Sequence, residues 1–247
     1  MLLQLKLDFF KNKSFEYTGL DSVEECCVNR PALKKHFLSY PHKVTYHYNE
    51  RGFRDIKWPG DIDDKTLFCF GDSFTVGLGC PIEHTWVHLL RETTKRTCIN
   101  ISMDGASNNF LQRKMIYTME KIKPKNLIVQ WSYVHRREHG DDFLDDMARR
   151  IWFSDNANDE EDCNNTLNCI QEVELCAKKT NTKIIHTFIP FFAKDEYAVR
   201  VFQYLDENNF CYVKFEQIDK ARDSHHYDIQ TSRQLVENIV KSGFLNI

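Results

Sequence analysis

Two short stretches hold the residues best suited to chemistry. They are Gly71-Asp72-Ser73 and, 150 positions later, Asp223-Ser224-His225-His226. A serine hydroxyl is a weak nucleophile and needs a neighbouring base to take its proton. Imidazole suits that task because its pKa lies near neutrality. The base works best when a carboxylate fixes its tautomer and stabilises the imidazolium. Asp223 and His226, three apart, can converge on one side of a loop turn, whereas the adjacent His225 points elsewhere and reads as structural. Each stretch also has an ordinary reading. Ser is a common helix cap, so Gly71 and Ser73 can simply make a strand-to-helix turn, and an Asp-x-x-His in a loop is weak evidence alone.

The surrounding elements decide whether the two stretches can meet. The run Leu67-Phe68-Cys69-Phe70 is apolar and strand-like and stops at Gly71, with a helix expected beyond. Periodicity then predicts a helix over 85–93 with Thr85 as its cap, a strand over 98–101, a helix over 108–121 and an apolar strand over 126–131. Further on it predicts a helix over 167–179, a strand over 183–188, a helix over 197–205, a short last strand over 210–213 and a closing helix over 229–240. Five strands separated by helices imply an α/β protein with a parallel sheet, helices on both faces and right-handed crossovers. In such a sheet the loops after the first and last strands open on the same rim, where ligands bind. Ser73 and the Asp223/His226 pair can therefore converge.

Residues 1–64 read differently, being polar, aromatic-rich and interrupted by Pro31, Pro41 and Pro59. They are expected to form an extension packed on a main domain of residues 65–247. That extension would cover a sheet edge, which needs protection, or shape the entrance to the site. Val44-Thr45-Tyr46-His47-Tyr48 alternates like a strand before a turn at 49–52.

The 247 residues suffice for one sizeable domain, and 42% hydrophobic with 13% aromatic residues fits a folded chain. A net charge of −3 with scattered basic pairs argues against nucleic acid. Nine cysteines without a C-x-x-C pair suggest buried small hydrophobes such as Cys69, Cys98 and Cys211, not a metal site. The acidic stretch 140–162 lacks EF-hand spacing and reads as a solvated helix and loop. No cofactor and no metal are expected. The amino terminus is broken by charge too early for a signal peptide, and no run approaches a membrane span. The expectation is a cytoplasmic setting without membrane insertion.

Gly71-Asp72-Ser73-Phe74-Thr75-Val76-Gly77 resembles the first block of the SGNH (GDSL-type) hydrolase family. Asn100-Ile101-Ser102-Met103-Asp104-Gly105-Ala106-Ser107-Asn108 is similar to its second block, and Asp223-Ser224-His225-His226 to its last. Asn49-Glu50-Arg51-Gly52-Phe53-Arg54 resembles an Asn-x-x-Gly-Phe-Arg element found ahead of the serine block in a subset of these proteins. The resemblance covers roughly residues 45–240. It implies a flavodoxin-like three-layer α/β/α sandwich and hydrolysis of acyl or acetyl esters of carbohydrates, lipids or small molecules. It also implies Ser73 as nucleophile, His226 as base, Asp223 as its orienting acid, and the N–H groups of Ser73 and Gly105 as oxyanion donors. The family's asparagine after the third strand is missing, since the stretch reads Gln130-Trp131-Ser132-Tyr133-Val134-His135-Arg136-Arg137-Glu138. Asn108, Ser132 or Tyr133 could replace it. Asp72, Trp131, Tyr133 and Arg136 are candidate substrate contacts, although Arg136 or Arg137 paired with Glu138 is the more ordinary reading.

Three functions compete. The first is a serine esterase with an acyl-enzyme intermediate, or its variant that transfers the acyl group to a sugar hydroxyl. The second is an inactive member that binds carbohydrate or protein, because fold does not fix function. A nucleotide-binding flavodoxin-like protein is weaker, since Gly77-Leu78-Gly79 lacks the third glycine of a dinucleotide loop.

Overall fold

A computed structural model describes residues 5–137, 157–190 and 196–245. Within the N-terminal segment, β1 (Ser14–Phe15) and β2 (Tyr46–His47) form a small antiparallel pair. α1 (Lys34–Ser39) lies between them.

The main sheet is built from β3 (Leu67–Gly71), β4 (Cys98–Ser102), β5 (Asn126–Trp131) and β6 (Lys183–Phe188), in the spatial order β4-β3-β5-β6. All neighbours are parallel. Every residue of β3 and β4 is buried, as is all but the first residue of β5 and β6. Such strands read as continuous apolar runs because helices cover both faces. Those helices are α2 (Ser73–Val76), α3 (Trp86–Thr94), α4 (Asn108–Lys121), α5 (Asp159–Thr180), α6 (Glu196–Glu207) and α7 (Ile229–Lys241). α3 packs with α7, α4 with α5, and α6 against α5.

Among the described residues the sheet has four strands, not the five expected from the sequence. The chain over 210–213 does run beside β6, where His186 N–H donates to Cys211 and Val213 N–H donates to His186, each at 2.9 Å. Pairing stops at that single bridge. The following amides turn to α7 instead, Glu216 N–H donating to Gln234 and Ile218 N–H to Thr231.

α5 begins eight residues earlier than the sequence pattern suggests. Asn158 caps it by accepting from Glu161 N–H, and the acidic run 159–162 forms its first turn. Carboxylates are favourable there because the helix dipole presents its positive end. Asp162 is not solvated as expected of this stretch; it is buried and paired with His135 (2.8 Å) and with Arg137. The acidic positions over 140–156 lie outside the described residues.

The N-terminal segment touches both the sheet and its rim. Asp55 accepts from Asn100 N–H of edge strand β4 at 2.7 Å. Val44, Tyr46 and Tyr48 form a small cluster with Val76 and Leu78, at the end of α2. Among the described residues, no helix is long and apolar enough to cross a membrane.

Candidate active site

β3 runs straight into α2, so Ser73 stands at the carboxyl end of a central strand as the first helical residue. Gly71 makes this turn possible: a Cβ there would stand 1.9 Å from Thr75 Oγ1. Asp72 caps α2, its Oδ1 accepting from Phe74 N–H at 3.0 Å. As the first residue of the helix, Ser73 has an amide that lies ahead of the intrahelical hydrogen-bond ladder.

The loop before α7 brings the second stretch to the same rim. His226 Nε2 lies 2.8 Å from Ser73 Oγ, and His226 Nδ1 lies 2.5 Å from Asp223 Oδ2. Asp223 Oδ1 accepts from the amides of His225 and His226, both at 3.0 Å, which fixes the carboxylate in place. All three side chains are buried. Burial opposes the charge on Asp223, yet the His226 imidazole and the two amides outweigh it and hold the carboxyl at about 2. Burial likewise opposes a charged His226, but Asp223 overrides it and raises the imidazole above its ordinary 6.5. An imidazole so placed can take the Ser73 proton and carry it as a stabilised cation.

Gly105 lies at φ +70°, a left-handed conformation suited to glycine. It sits in the turn after β4, the strand beside β3, and Met103 N–H of that turn donates to Gly71 O at 3.2 Å. Two of the three candidate substitutes for the family asparagine, Asn108 and Ser132, are engaged elsewhere. Asn108 gives its amide hydrogens to Tyr133 O (3.3 Å) and Thr166 Oγ1 (3.1 Å), and its Oδ1 receives Ser132 N–H. The Ser132 hydroxyl donates to Asp72 Oδ2 at 2.6 Å.

The candidate substrate contacts divide into two groups. Asp72 is fully buried, with Oδ2 also accepting from Arg136 Nη1 at 2.9 Å, so it braces the turn and offers no open face. Trp131 is a core residue as well, its indole N–H donating to the buried His186, whose other nitrogen meets Glu174. Tyr133 and Arg136 do reach the rim. The Arg136 guanidinium lies over the Tyr133 ring, and the Tyr133 hydroxyl is 3.2 Å from His225 Nε2. Burial pushes His225 down to about 4, with His226, Arg30 and Arg136 adding to the effect and Asp223 opposing it. Arg136 is held by Asp72, and Glu138, the surface acid expected from the sequence, lies outside the described residues.

Support from the N-terminal segment was only partly visible in the sequence. Arg54, closing the Asn-x-x-Gly-Phe-Arg element, donates to the carbonyls of Val76 (3.1 Å), Gly77 and Cys80 (2.8 Å) beyond α2. Tyr46 Oη accepts from Gly79 N–H at 2.8 Å and donates to Asp21 at 2.5 Å, while Asp21 also holds Arg222 of the histidine loop. Tyr40 and His84 share Asp228, the cap of α7. Asp21, Tyr46 and Arg222 lie far apart in sequence and carry no common motif. A groove of about 590 Å³ beside Thr182, Lys183 and Ile184 lies at the opposite, amino-terminal end of the strands.

No family model and no curated protein matches the chain by sequence. Among solved structures it is similar to a GDSL-like lipase from Bacteroides thetaiotaomicron, with a TM-score of 0.53 and 12% identity over 74% of this chain and 90% of that one. An acetyl xylan esterase, AlAXEase, matches with a TM-score of 0.51 and 14% identity, covering 72% of this chain and 98% of that one. A family two carbohydrate esterase from Clostridium thermocellum, solved with cellohexaose, gives 0.50 and 12% over 72% and 63%. The chain thus has the α/β fold of the SGNH (GDSL-type) hydrolases, and at these identities the likeness is one of fold.

Proposed function

We propose that the chain is a serine ester hydrolase that removes an acyl or acetyl group from a carbohydrate or small molecule through an acyl-enzyme. The observation that carries this reading is the unbroken series from Ser73 Oγ to His226 to Asp223 at the carboxyl rim of the sheet.

In this mechanism His226 Nε2 takes the Ser73 proton as Oγ attacks the ester carbonyl. The negative charge that develops on the carbonyl oxygen is met by the N–H groups of Ser73 and Gly105. Such donors act on charge present only in the transition state, and losing one removes about 10²–10³ in rate. The tetrahedral species collapses by breaking the bond to the alcohol oxygen, which leaves with the proton from His226. Water then gives a proton to His226 and attacks the acyl-enzyme, releasing the acid and restoring Ser73. A sugar hydroxyl in place of water would make the same chain an acyltransferase.

One observation favours the competing reading of a binding module: Asn108 and Ser132 have given their side-chain hydrogens to other partners. A fluorophosphonate probe separates the two. The expected result is labelling of the wild type and hydrolysis of p-nitrophenyl acetate, both lost in a folded Ser73→Ala variant. An unlabelled wild-type protein that turns over no ester would transfer the argument to the binding module.

A further inference from the structure

The esterase reading leaves a group of cations beside His225 without a role. Arg136 uses Nη1 on Asp72 and Ser132, and its Nε and Nη2 donate to no acceptor among the described residues. Its side chain is 23% exposed, so part of it is open to a ligand. Arg30 comes from the N-terminal segment. Its Nη2 is buried without a hydrogen-bond partner, and its Nε, 3.1 Å from Glu25, lacks hydrogen-bond geometry. Buried guanidinium N–H groups that have lost water and gained no acceptor are unfavourable and need an explanation. Both arginines act electrostatically on the His225 ring, which neighbours His226 and contacts Tyr133.

We propose that Arg30, Arg136 and Tyr133 form an anion subsite next to Ser73, and that the ester acted on carries a carboxylate. The inference rests on the esterase reading for the reaction, but not for the binding. Guanidinium edges suit a planar carboxylate, which can accept two parallel N–H bonds. A monoanion fits better than a phosphate dianion, because Glu25 and Asp72 already offset part of each cation. His225, held neutral, adds no charge of its own, so the attraction comes from the two guanidinium groups.

The test compares matched neutral and anionic esters: p-nitrophenyl butyrate against mono-p-nitrophenyl succinate, and phenyl acetate against 4-acetoxybenzoate. The first pair places the charge on the acyl part, the second on the alcohol part. In at least one pair the anionic ester is expected to show kcat/KM about ten-fold higher, the effect of one charged hydrogen bond. High salt should shrink that ratio. Arg30→Gln and Arg136→Lys should each bring it close to one, whereas Lys241→Gln, a charge change on the far end of α7, should not. A wild type that hydrolyses the neutral esters as well as or better than both anionic ones overturns the subsite and leaves the esterase reading intact. If no ester is turned over, calorimetry on Ser73→Ala protein with monomethyl succinate and methyl butyrate decides the subsite alone. Binding of the succinate only, lost in the Arg30→Gln background, supports it; equal or absent binding of both overturns it.

Discussion

Arg54 crosses from the N-terminal segment and donates to the carbonyl oxygen of Cys80 at 2.8 Å. It also holds Val76 and Gly77 on the same loop and Thr45 on its own segment, and it is almost wholly buried. One planar cation therefore gathers the carbonyls that end α2, and so sets where Ser73 sits. Asn49 prepares the approach, its Oδ1 accepting the amides of Arg51 and Phe53.

Removing that cation should loosen the serine turn. Arg54→Met is expected to destabilise the fold by about 3–5 kcal/mol, since several buried hydrogen bonds to a charged donor are worth about 1.5–3 kcal/mol each and part of the loss relaxes. Arg54→Lys recovers little, because one ammonium cannot serve carbonyls spread around a planar fork. Urea midpoints and the rate of fluorophosphonate labelling check this together. Unchanged midpoints would show that the loop holds its shape without the arginine.

The pH dependence of activity follows from His226. As the proposed base it must be neutral, and Asp223 raises its pKa above 6.5. The rate on a neutral ester should thus climb with pH through a midpoint above 6.5 and then level. Asp223→Asn removes the charge that raises the imidazole and also frees the tautomer. The midpoint should fall, and kcat should drop by on the order of 10⁴, as in serine proteases with the equivalent change. A variant that kept the wild-type midpoint would detach Asp223 from the role proposed for it.

Stability at acid pH depends on the neighbouring histidine. His225 is depressed to about 4 from 6.5, so the unfolded chain binds the extra proton first. Its contribution is present above 6.5 and is lost as pH falls through about 4. His226 has the opposite sign: being raised, it contributes fully below 6.5 and loses its contribution only as pH rises through its folded value. Asp223 loses its contribution only as pH falls from 3.8 through about 2. Between these limits the local slope comes from His225. Folded His225→Asn protein should show a shallower fall in urea midpoint between pH 6.5 and 4 than the wild type does. An equal slope would place the acid sensitivity elsewhere.

What could be read from the sequence was what local pattern determines. β5 and β6 have the bounds that apolar runs and their flanks suggest, and Thr85 caps α3 by accepting from His88 N–H. The meeting of Ser73 with residues 223 and 226 followed from the shared rim of a parallel sheet, a topological argument. What escaped depends on contacts between distant segments. Nothing local marks Asp21 as the partner of Arg222, or Tyr46 as the acceptor for Gly79. The run over 210–213 has the composition of a strand, but its next amides found partners on α7, so the ladder ended. Trp131 looked available because it ends a strand near the site. Alternation of side chains along β5 sends it into the core toward His186.

The tightest local constraint is the contact between Gly71 and Thr75. A methyl group at 71 would meet Thr75 Oγ1 at 1.9 Å and Thr75 Cβ at 2.6 Å. Thr75 cannot simply rotate away, because its hydroxyl donates to Gln130 Oε1 at 2.9 Å and accepts from the buried Trp86 indole at 3.2 Å. Gly71→Ala is therefore expected to destabilise by about 3 kcal/mol, the upper end for forcing a methyl into a packed site. It should also slow serine labelling, since the displaced turn carries Ser73. Adding Thr75→Ala removes the hydroxyl but keeps the Cβ, which still stands too close. The double variant should thus be no more stable than Gly71→Ala alone, as urea midpoints would report. Full recovery in the double variant would assign the crowding to the hydroxyl and not to the approach of the two backbones.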